Sequence, residues 1–159
     1  MTTMVVGIAD LKIGRENDII TTLGLGSCVG ITLHDPIRKI GGLVHIMLPE
    51  YNGQMDHNRH KFADTGIVDL LDKLIKAGAS RGSLVAKIAG GAHMFAGSGA
   101  QDFLKIGERN VVASKNTLQK LKLPIVGNDT GGTHGRTIEL YNDTGKLKIR
   151  TVGFGEKFI

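Results

Sequence analysis

Glycine is the residue that most constrains how this chain can fold. The 159-residue sequence contains 23 glycines and only three prolines, and β-branched stretches separate the glycines. Many of the glycines are clustered, at 24–26, 41–42, 90–91, 97–99 and 131–132. Tight turns use backbone conformations that glycine adopts readily. The pattern therefore predicts short strands joined by tight turns, not a flexible low-complexity linker.

The hydrophobic periodicity predicts many strands and two helices. Apolar residues in 61–77 recur with helical spacing, and Gly78 follows where a left-handed residue commonly ends a helix. A second helix with a weaker apolar face is predicted at 108–121. Strands are predicted at 5–9, 19–23, 28–34, 40–48, 84–89, 124–128, 137–141 and 146–152. Because several strands follow one another directly, we expect an α/β fold of the layered, α+β-like sandwich type with mixed sheets.

Composition narrows the class of protein. The chain is 41% hydrophobic and 22% charged, so one folded domain over residues 1–159 is expected and intrinsic disorder is not. Its net charge of +5 comes from scattered residues, and aromatics are only 4%, so nucleic-acid binding is not expected. No apolar run is long enough to insert into a membrane. The single cysteine and the lack of a signal-peptide pattern predict a cytoplasmic protein.

Cys28 is the candidate nucleophile, although a lone cysteine is commonly a small buried apolar residue. The glycines before it resemble a dinucleotide-binding fingerprint, but a strand pattern follows them where that site requires a helix, which excludes nucleotide binding. If the next hairpin is centred between Pro36 and Ile37, Cys28 lies directly opposite His45. This would bring an imidazole to a thiol, as nucleophilic cysteine catalysis requires. The alternative interpretation is that His45 is a histidine of the core whose hydrogen-bonding groups are satisfied within the protein.

The neighbours of Cys28 fit a reactive site. Gly26 and Ser27 belong to a turn in which backbone N–H groups could converge near the sulfur and hold an oxyanion. Thr22 offers a hydroxyl or a carbonyl that could orient the ring of His45.

Two further pairs of residues have two possible interpretations each. His93 and Phe95 are predicted either as a structural turn with an apolar anchor or as a wall of a substrate or partner groove. His57 and His60 have a loose metal-ligand spacing without a nearby cysteine, so no metal is expected. No cofactor motif is present either.

Five motifs in order along the chain carry a family resemblance. They are Thr-Leu-Gly-Leu-Gly-Ser-Cys-Val at 22–29, Gly-Gly-Leu-Val-His-Ile-Met-Leu-Pro at 41–49, Gly-Gly-Ala-His-Met-Phe at 90–95, Ile-Gly-Glu-Arg-Asn at 106–110 and Asp-Thr-Gly-Gly-Thr-His-Gly-Arg at 129–136. Together they resemble the chemoreceptor glutamine deamidase family, CheD, over residues 5–153.

The resemblance implies a cysteine amidohydrolase that converts glutamines of methyl-accepting chemotaxis receptors to glutamates. It implies that Cys28 is the nucleophile, His45 the general base and Thr22 the residue that orients it, with no cofactor. It also implies an α/β sandwich similar to the catalytic domains of deamidating cytotoxic necrotizing toxins, and a partnership with a CheC-type chemotaxis phosphatase. The alternative is a protein that acts chiefly as an allosteric partner of that phosphatase, with little catalytic role.

Overall fold

Two five-stranded sheets pack face to face in the computed structural model, which describes residues 2–53, 57–94 and 105–159. The first sheet has the strand order β1-β3-β8-β9-β10 and the second has the order β2-β5-β4-β6-β7. The pairs β1–β3 and β6–β7 are parallel and the remaining pairs are antiparallel. Within the described residues the elements are β1 Thr3–Val5, β2 Leu11–Arg15, β3 Ile19–Leu25, β4 Val29–Asp35, β5 Ile40–Ile46, α1 Ala63–Lys76, β6 Val85–Gly90, α2 Ile106–Lys120, β7 Ile125–Thr130, β8 Arg136–Tyr141, β9 Leu147–Thr151 and β10 Gly155–Phe158, with a 3-10 turn at Arg59–Lys61.

The second sheet is the middle layer of the fold. All seven residues of β4 and all seven of β5 are buried, as expected for strands covered on both faces. One face of this sheet packs on the helices, where Ile31 and Val44 meet Leu70 of α1 in one apolar cluster. The opposite face packs on the first sheet, where Leu43 meets Ile138 in a second cluster. The mixed sheets and the two helices confirm the predicted α/β class.

The predicted helices agree with the structure to within a few residues, and Gly78 has the expected positive φ of 110°. The strand predicted at 5–9 is wrong, because β1 is Thr3–Val5 and the chain then turns, with Ala9 at a φ of 60°. Strands β2 and β10 were not predicted. Strand β2 carries charged residues, and all four residues of β10 are exposed, so neither strand has a buried apolar run.

The register of the β4–β5 hairpin differs from the prediction. Asp35 pairs with Ile40, which centres the hairpin one residue later than expected. The cause is a four-residue loop at 36–39, in which Lys39 adopts a φ of 54° and its N–H donates to the Asp35 carbonyl. His45 consequently lies opposite Gly30, and the predicted direct pairing with Cys28 is wrong.

Candidate active site

The β4–β5 loop has an even number of residues in the predicted register and in the observed one. The shift in register therefore leaves each side chain on the predicted face of the sheet. Cys28 precedes β4 by one residue and lies diagonally from His45 rather than opposite it. Its side chain packs against the apolar cluster between the sheets, on the face to which His45 also belongs. Diagonal positions on paired strands are about 7–8 Å apart at their Cα atoms, within reach of larger side chains. The thiol and the imidazole therefore share one face of the second sheet.

His45 is held by a hydrogen bond that crosses between the sheets. Its side chain is completely buried, and Nδ1 lies 2.7 Å from Oγ1 of Thr22 on β3. The same hydroxyl donates its one proton to the carbonyl of Val6, also at 2.7 Å. Because the carbonyl can only accept, the hydroxyl must accept from the ring, so Nδ1 carries the proton. The structure thus brings together Thr22 and His45 as predicted, with the hydroxyl as the contacting group.

The other ring nitrogen of His45 is left unprotonated, with its lone pair available. Nε2 is buried and has no hydrogen-bond partner among the described residues. Burial lowers the pKa of His45 to about 4, so the imidazole is neutral near neutral pH. A buried acceptor without a partner is costly, and such groups occur where chemistry requires them. The arrangement provides a proton acceptor whose orientation Thr22 fixes.

Cys28 is a half-buried free cysteine at the candidate site. Burial raises the pKa of the Cys28 thiol, and the backbone N–H of Cys28 lowers it in part. Both shifts, in Cys28 and in His45, favour the neutral pair over a thiolate with an imidazolium. Proton transfer in this pair would therefore accompany the attack on a substrate.

The turn before Cys28 is held from two sides. Gly24 adopts a φ of 68° in the bulge of β3, and the carbonyl of Gly26 accepts from the N–H of Ala92. A Cβ added to Gly26 would come within 3.1 Å of Cγ of Met94, so glycine permits this close packing. The carbonyl of Ser27 is bound by α2. Gly26 and Ser27 thus lie in the supporting turn, as predicted, and their use as oxyanion donors stays a prediction.

Asn110 on α2 belongs to the 106–110 motif, but the sequence did not single it out as a candidate site residue. Its side chain is completely buried, and Nδ2 donates to the carbonyls of Ser27 and Met47, each at 2.9 Å. The available signal was its position in the helix, since it shares the buried face with Ala113 and Ser114. A polar residue on the apolar side of a helix requires buried partners.

A groove of about 380 Å³ lies beside the Cys28 turn. Its wall includes Gly91, whose N–H donates to the Cys28 carbonyl, and His93, whose N–H donates to the Gly132 carbonyl. Nε2 of His93 is buried without a hydrogen-bond partner in the described ranges. A second groove of about 520 Å³ runs along α2 between Leu48, Lys105 and Val112. His93 thus lines a groove, its use for a substrate or a partner stays a prediction, and Phe95 lies outside the described residues.

His57 and His60 are the two histidines with a loose metal-ligand spacing. Nε2 of His60 lies 3.4 Å from a carboxylate oxygen of Asp69, and His57 is exposed. In the part of the chain that the structure describes, no group of three or more His, Cys, Asp or Glu side chains is arranged to hold a metal ion. No helix in that part is long and apolar enough to cross a membrane.

Comparison with known proteins identifies similar sequences along nearly the whole chain. A family model described as CheD chemotactic sensory transduction matches residues 47–151. The probable chemoreceptor glutamine deamidase CheD of Caldanaerobacter subterraneus subsp. tengcongensis is 54% identical over 155 residues, which cover 97% of this chain and 96% of that protein. The chemoreceptor glutamine deamidases CheD of Halalkalibacterium halodurans and Bacillus subtilis are each 49% identical over 156 residues, covering 97% of this chain and 96% and 94% of their own lengths.

Proposed function

We propose that Cys28 and His45 carry out the deamidation of glutamine in this protein. The chain belongs to the CheD family and has the function of a chemoreceptor glutamine deamidase. The observation that carries this proposal is the state of His45. Its Nδ1–H is fixed on Thr22, and its Nε2 lone pair is unpartnered among the described residues, on the face where the only thiol of the chain lies. The substrates are glutamine side chains of methyl-accepting chemotaxis receptors.

In the first half of the reaction, Sγ of Cys28 attacks the side-chain amide carbon of glutamine. Nε2 of His45 takes the thiol proton as the carbon–sulfur bond forms, which suits a pair that is neutral at rest. The carbonyl oxygen becomes an oxyanion, and backbone N–H groups of the 26–28 turn stabilise it. The imidazolium then protonates the amide nitrogen, the carbon–nitrogen bond breaks, and ammonia leaves a γ-glutamyl thioester.

In the second half, water replaces ammonia. Nε2 of His45 removes a proton from water while its oxygen attacks the thioester carbon. The second tetrahedral intermediate collapses, the carbon–sulfur bond breaks, and Sγ of Cys28 recovers the proton from the imidazolium. The net change consumes one water and one glutamine amide and yields one glutamate and one ammonia.

The surroundings of the pair have supporting roles. Thr22 fixes the tautomer that leaves Nε2 basic. The groove at His93 lies next to the nucleophile turn and would receive the substrate or a partner. Phe95 stays a prediction from the sequence alone, as a wall of a substrate or partner groove.

We extend the proposal to the wider properties that the family resemblance implies. The layered sandwich would be similar to the catalytic domains of deamidating cytotoxic necrotizing toxins, and residues 1–159 would act as one domain. A CheC-type phosphatase would bind at the groove beside Cys28. The reaction requires a reduced thiol, which a cytoplasmic location would maintain.

The test is mass spectrometry of a receptor cytoplasmic fragment after incubation with the protein. We expect glutamine-to-glutamate conversion with the wild type and none with Cys28→Ala or His45→Ala. The matched control is His57→Ala, the same change at an exposed histidine, which should convert like the wild type.

Conversion that persists in Cys28→Ala would contradict the assignment of the nucleophile. No conversion by a folded wild type, together with binding of a CheC-type phosphatase that survives Cys28→Ala, would favour the alternative role as an allosteric partner.

A further inference from the structure

One buried side chain joins the two segments that carry the proposed nucleophile and base. Asn110 is completely buried on α2, and its Nδ2 lies 2.9 Å from the carbonyl oxygens of both Ser27 and Met47. Ser27 immediately precedes Cys28, and Met47 follows His45 by two residues. A single amide group therefore sets the distance between the nucleophile turn and the end of β5.

Both contacts of Asn110 are made to groups that only accept hydrogen bonds. This fixes the orientation of the amide, because its NH₂ group and not its oxygen must point at the two carbonyls. Both carbonyls belong to residues just outside β4 and β5, beyond the bounds of those strands. The amide of Asn110 thus holds the backbone just outside these two strands, in the segments that approach the site.

The contact with Ser27 also holds the direction of the backbone N–H of Cys28, together with the hydrogen bonds that Ala92 and Gly91 donate to the carbonyls of Gly26 and Cys28. The Ser27 carbonyl and the Cys28 N–H belong to one planar trans peptide group, so they point in opposite directions. Holding the carbonyl toward α2 turns the N–H away from the helix. That N–H acts on the Cys28 thiol, since it lowers the thiol pKa against the effect of burial.

The remaining atom of the amide indicates that these contacts matter. Oδ1 of Asn110 is buried without a hydrogen-bond partner in the described part of the chain. An unpaired buried acceptor is unfavourable, and an apolar residue at this helix position would avoid it. Keeping an amide here is therefore explained by its two donated hydrogen bonds.

We propose that Asn110 is a positioning residue, whose amide orients the Ser27–Cys28 peptide so that the Cys28 N–H faces the reacting centre and donates to the oxyanion. This inference rests on the proposed function, since it takes Cys28 as the nucleophile. Asn110 touches neither the substrate nor the reacting atoms and acts only through the peptide that it holds.

The test compares Asn110→Ala and the isosteric Asn110→Asp with Ser114→Ala. Ser114 is completely buried one turn further along α2, and its hydroxyl donates to the Asn110 carbonyl. Its removal therefore disturbs the same helix face but leaves the hydrogen bonds from the Asn110 side chain to Ser27 and Met47 in place. Steady-state deamidation of a receptor cytoplasmic fragment gives kcat and KM. Alkylation by iodoacetamide across pH, followed by mass spectrometry, gives the apparent pKa of the only thiol in the chain.

We expect both Asn110 variants to lose about ten- to a hundredfold in kcat with KM within about threefold of the wild type. In Asn110→Ala the apparent pKa of Cys28 should rise by about one unit, because its N–H no longer faces the sulfur. A charged carboxylate in Asn110→Asp would raise this pKa by repulsion as well, so Asn110→Ala carries the pKa measurement and Asn110→Asp carries the kinetic one. Ser114→Ala should match the wild type in both measurements. Two Asn110 variants are used so that the test can still be made with one variant if the other does not fold.

An unchanged apparent pKa of Cys28 in a folded Asn110 variant overturns the proposal, as does a loss expressed in KM with kcat retained. The alkylation profile needs no enzymatic activity. A wild type that alkylates normally but does not deamidate would therefore refute the proposed function, while the profile would still report whether Asn110 orients the Cys28 peptide.

Discussion

Replacing Thr22 with valine removes one hydroxyl and leaves the shape of the side chain nearly unchanged. In the fully buried site this leaves two groups without a partner, the Val6 carbonyl and Nδ1–H of His45. An unsatisfied buried polar group costs about 1–3 kcal/mol, and partial relaxation reduces the total, so we expect a loss of about 2–4 kcal/mol in the free energy of unfolding.

The same change removes the reason for His45 to keep its proton on Nδ1. A ring that rotates or changes tautomer no longer offers a lone pair to the thiol, and a positioned general base contributes about a hundredfold or more to rate. We therefore expect Thr22→Val to lower kcat by about a hundredfold in protein that is still folded, measured by deamidation of a receptor fragment with urea unfolding in parallel.

Thr22→Ser is the matched control, because it keeps the hydroxyl and removes only a methyl group. It should retain kcat within about threefold and lose about 1 kcal/mol of stability. A folded Thr22→Val variant with wild-type kcat would refute the argument. So would a Thr22→Ser variant that loses as much kcat as Thr22→Val.

Two further predictions concern the proposed base, His45, and Gly30, which lies opposite it. The pKa of His45 is about 4 when folded and near 6.5 when unfolded, so below pH 6.5 the unfolded chain binds the extra proton and stability falls as the pH drops toward 4. The contribution is about 3 kcal/mol, and urea unfolding against pH should show it in the wild type and not in His45→Gln. A Cβ added to Gly30 would lie 2.6 Å from Cδ1 of Ile138, so Gly30→Ala should cost about 1–3 kcal/mol and reduce deamidation. Gly82→Ala, whose Cβ would meet no atom closer than 4.0 Å, should change neither, and equal melting temperatures for the two variants would contradict the reasoning.

The sequence was sufficient where a local pattern determines the structure. The apolar spacing of 61–77 predicts α1 because only a helix places those residues on one face, and Gly78 ends it as predicted. The strand β10 escaped prediction because all of its residues are exposed and its pairing partner, rather than its composition, makes it a strand.

The candidate site shows the same division between local and long-range information. Cys28 and His45 could be placed on one face from the parity of a loop, but their spacing depended on Lys39 taking a left-handed conformation, which no preference of lysine indicates. Asn110 could not be connected with Ser27 because 83 residues separate them and only the packing of α2 on the sheet brings them together.

The candidate site is built across the interface of the two sheets, and this links its proposed chemistry to the packing of the fold. Thr22 comes from the first sheet and His45 from the second, and their hydrogen bond is buried within the apolar contact between the sheets. The same burial that lowers the pKa of His45 keeps the ring neutral, and the hydroxyl from the opposite sheet decides which nitrogen is basic. A separated sheet would therefore hold an ordinary histidine, with no fixed tautomer and with a pKa near 6.5. The neutral ring with its lone pair fixed on Nε2 is a property of the closed sandwich, so substitutions that loosen the sheet interface should reduce activity before they unfold the protein.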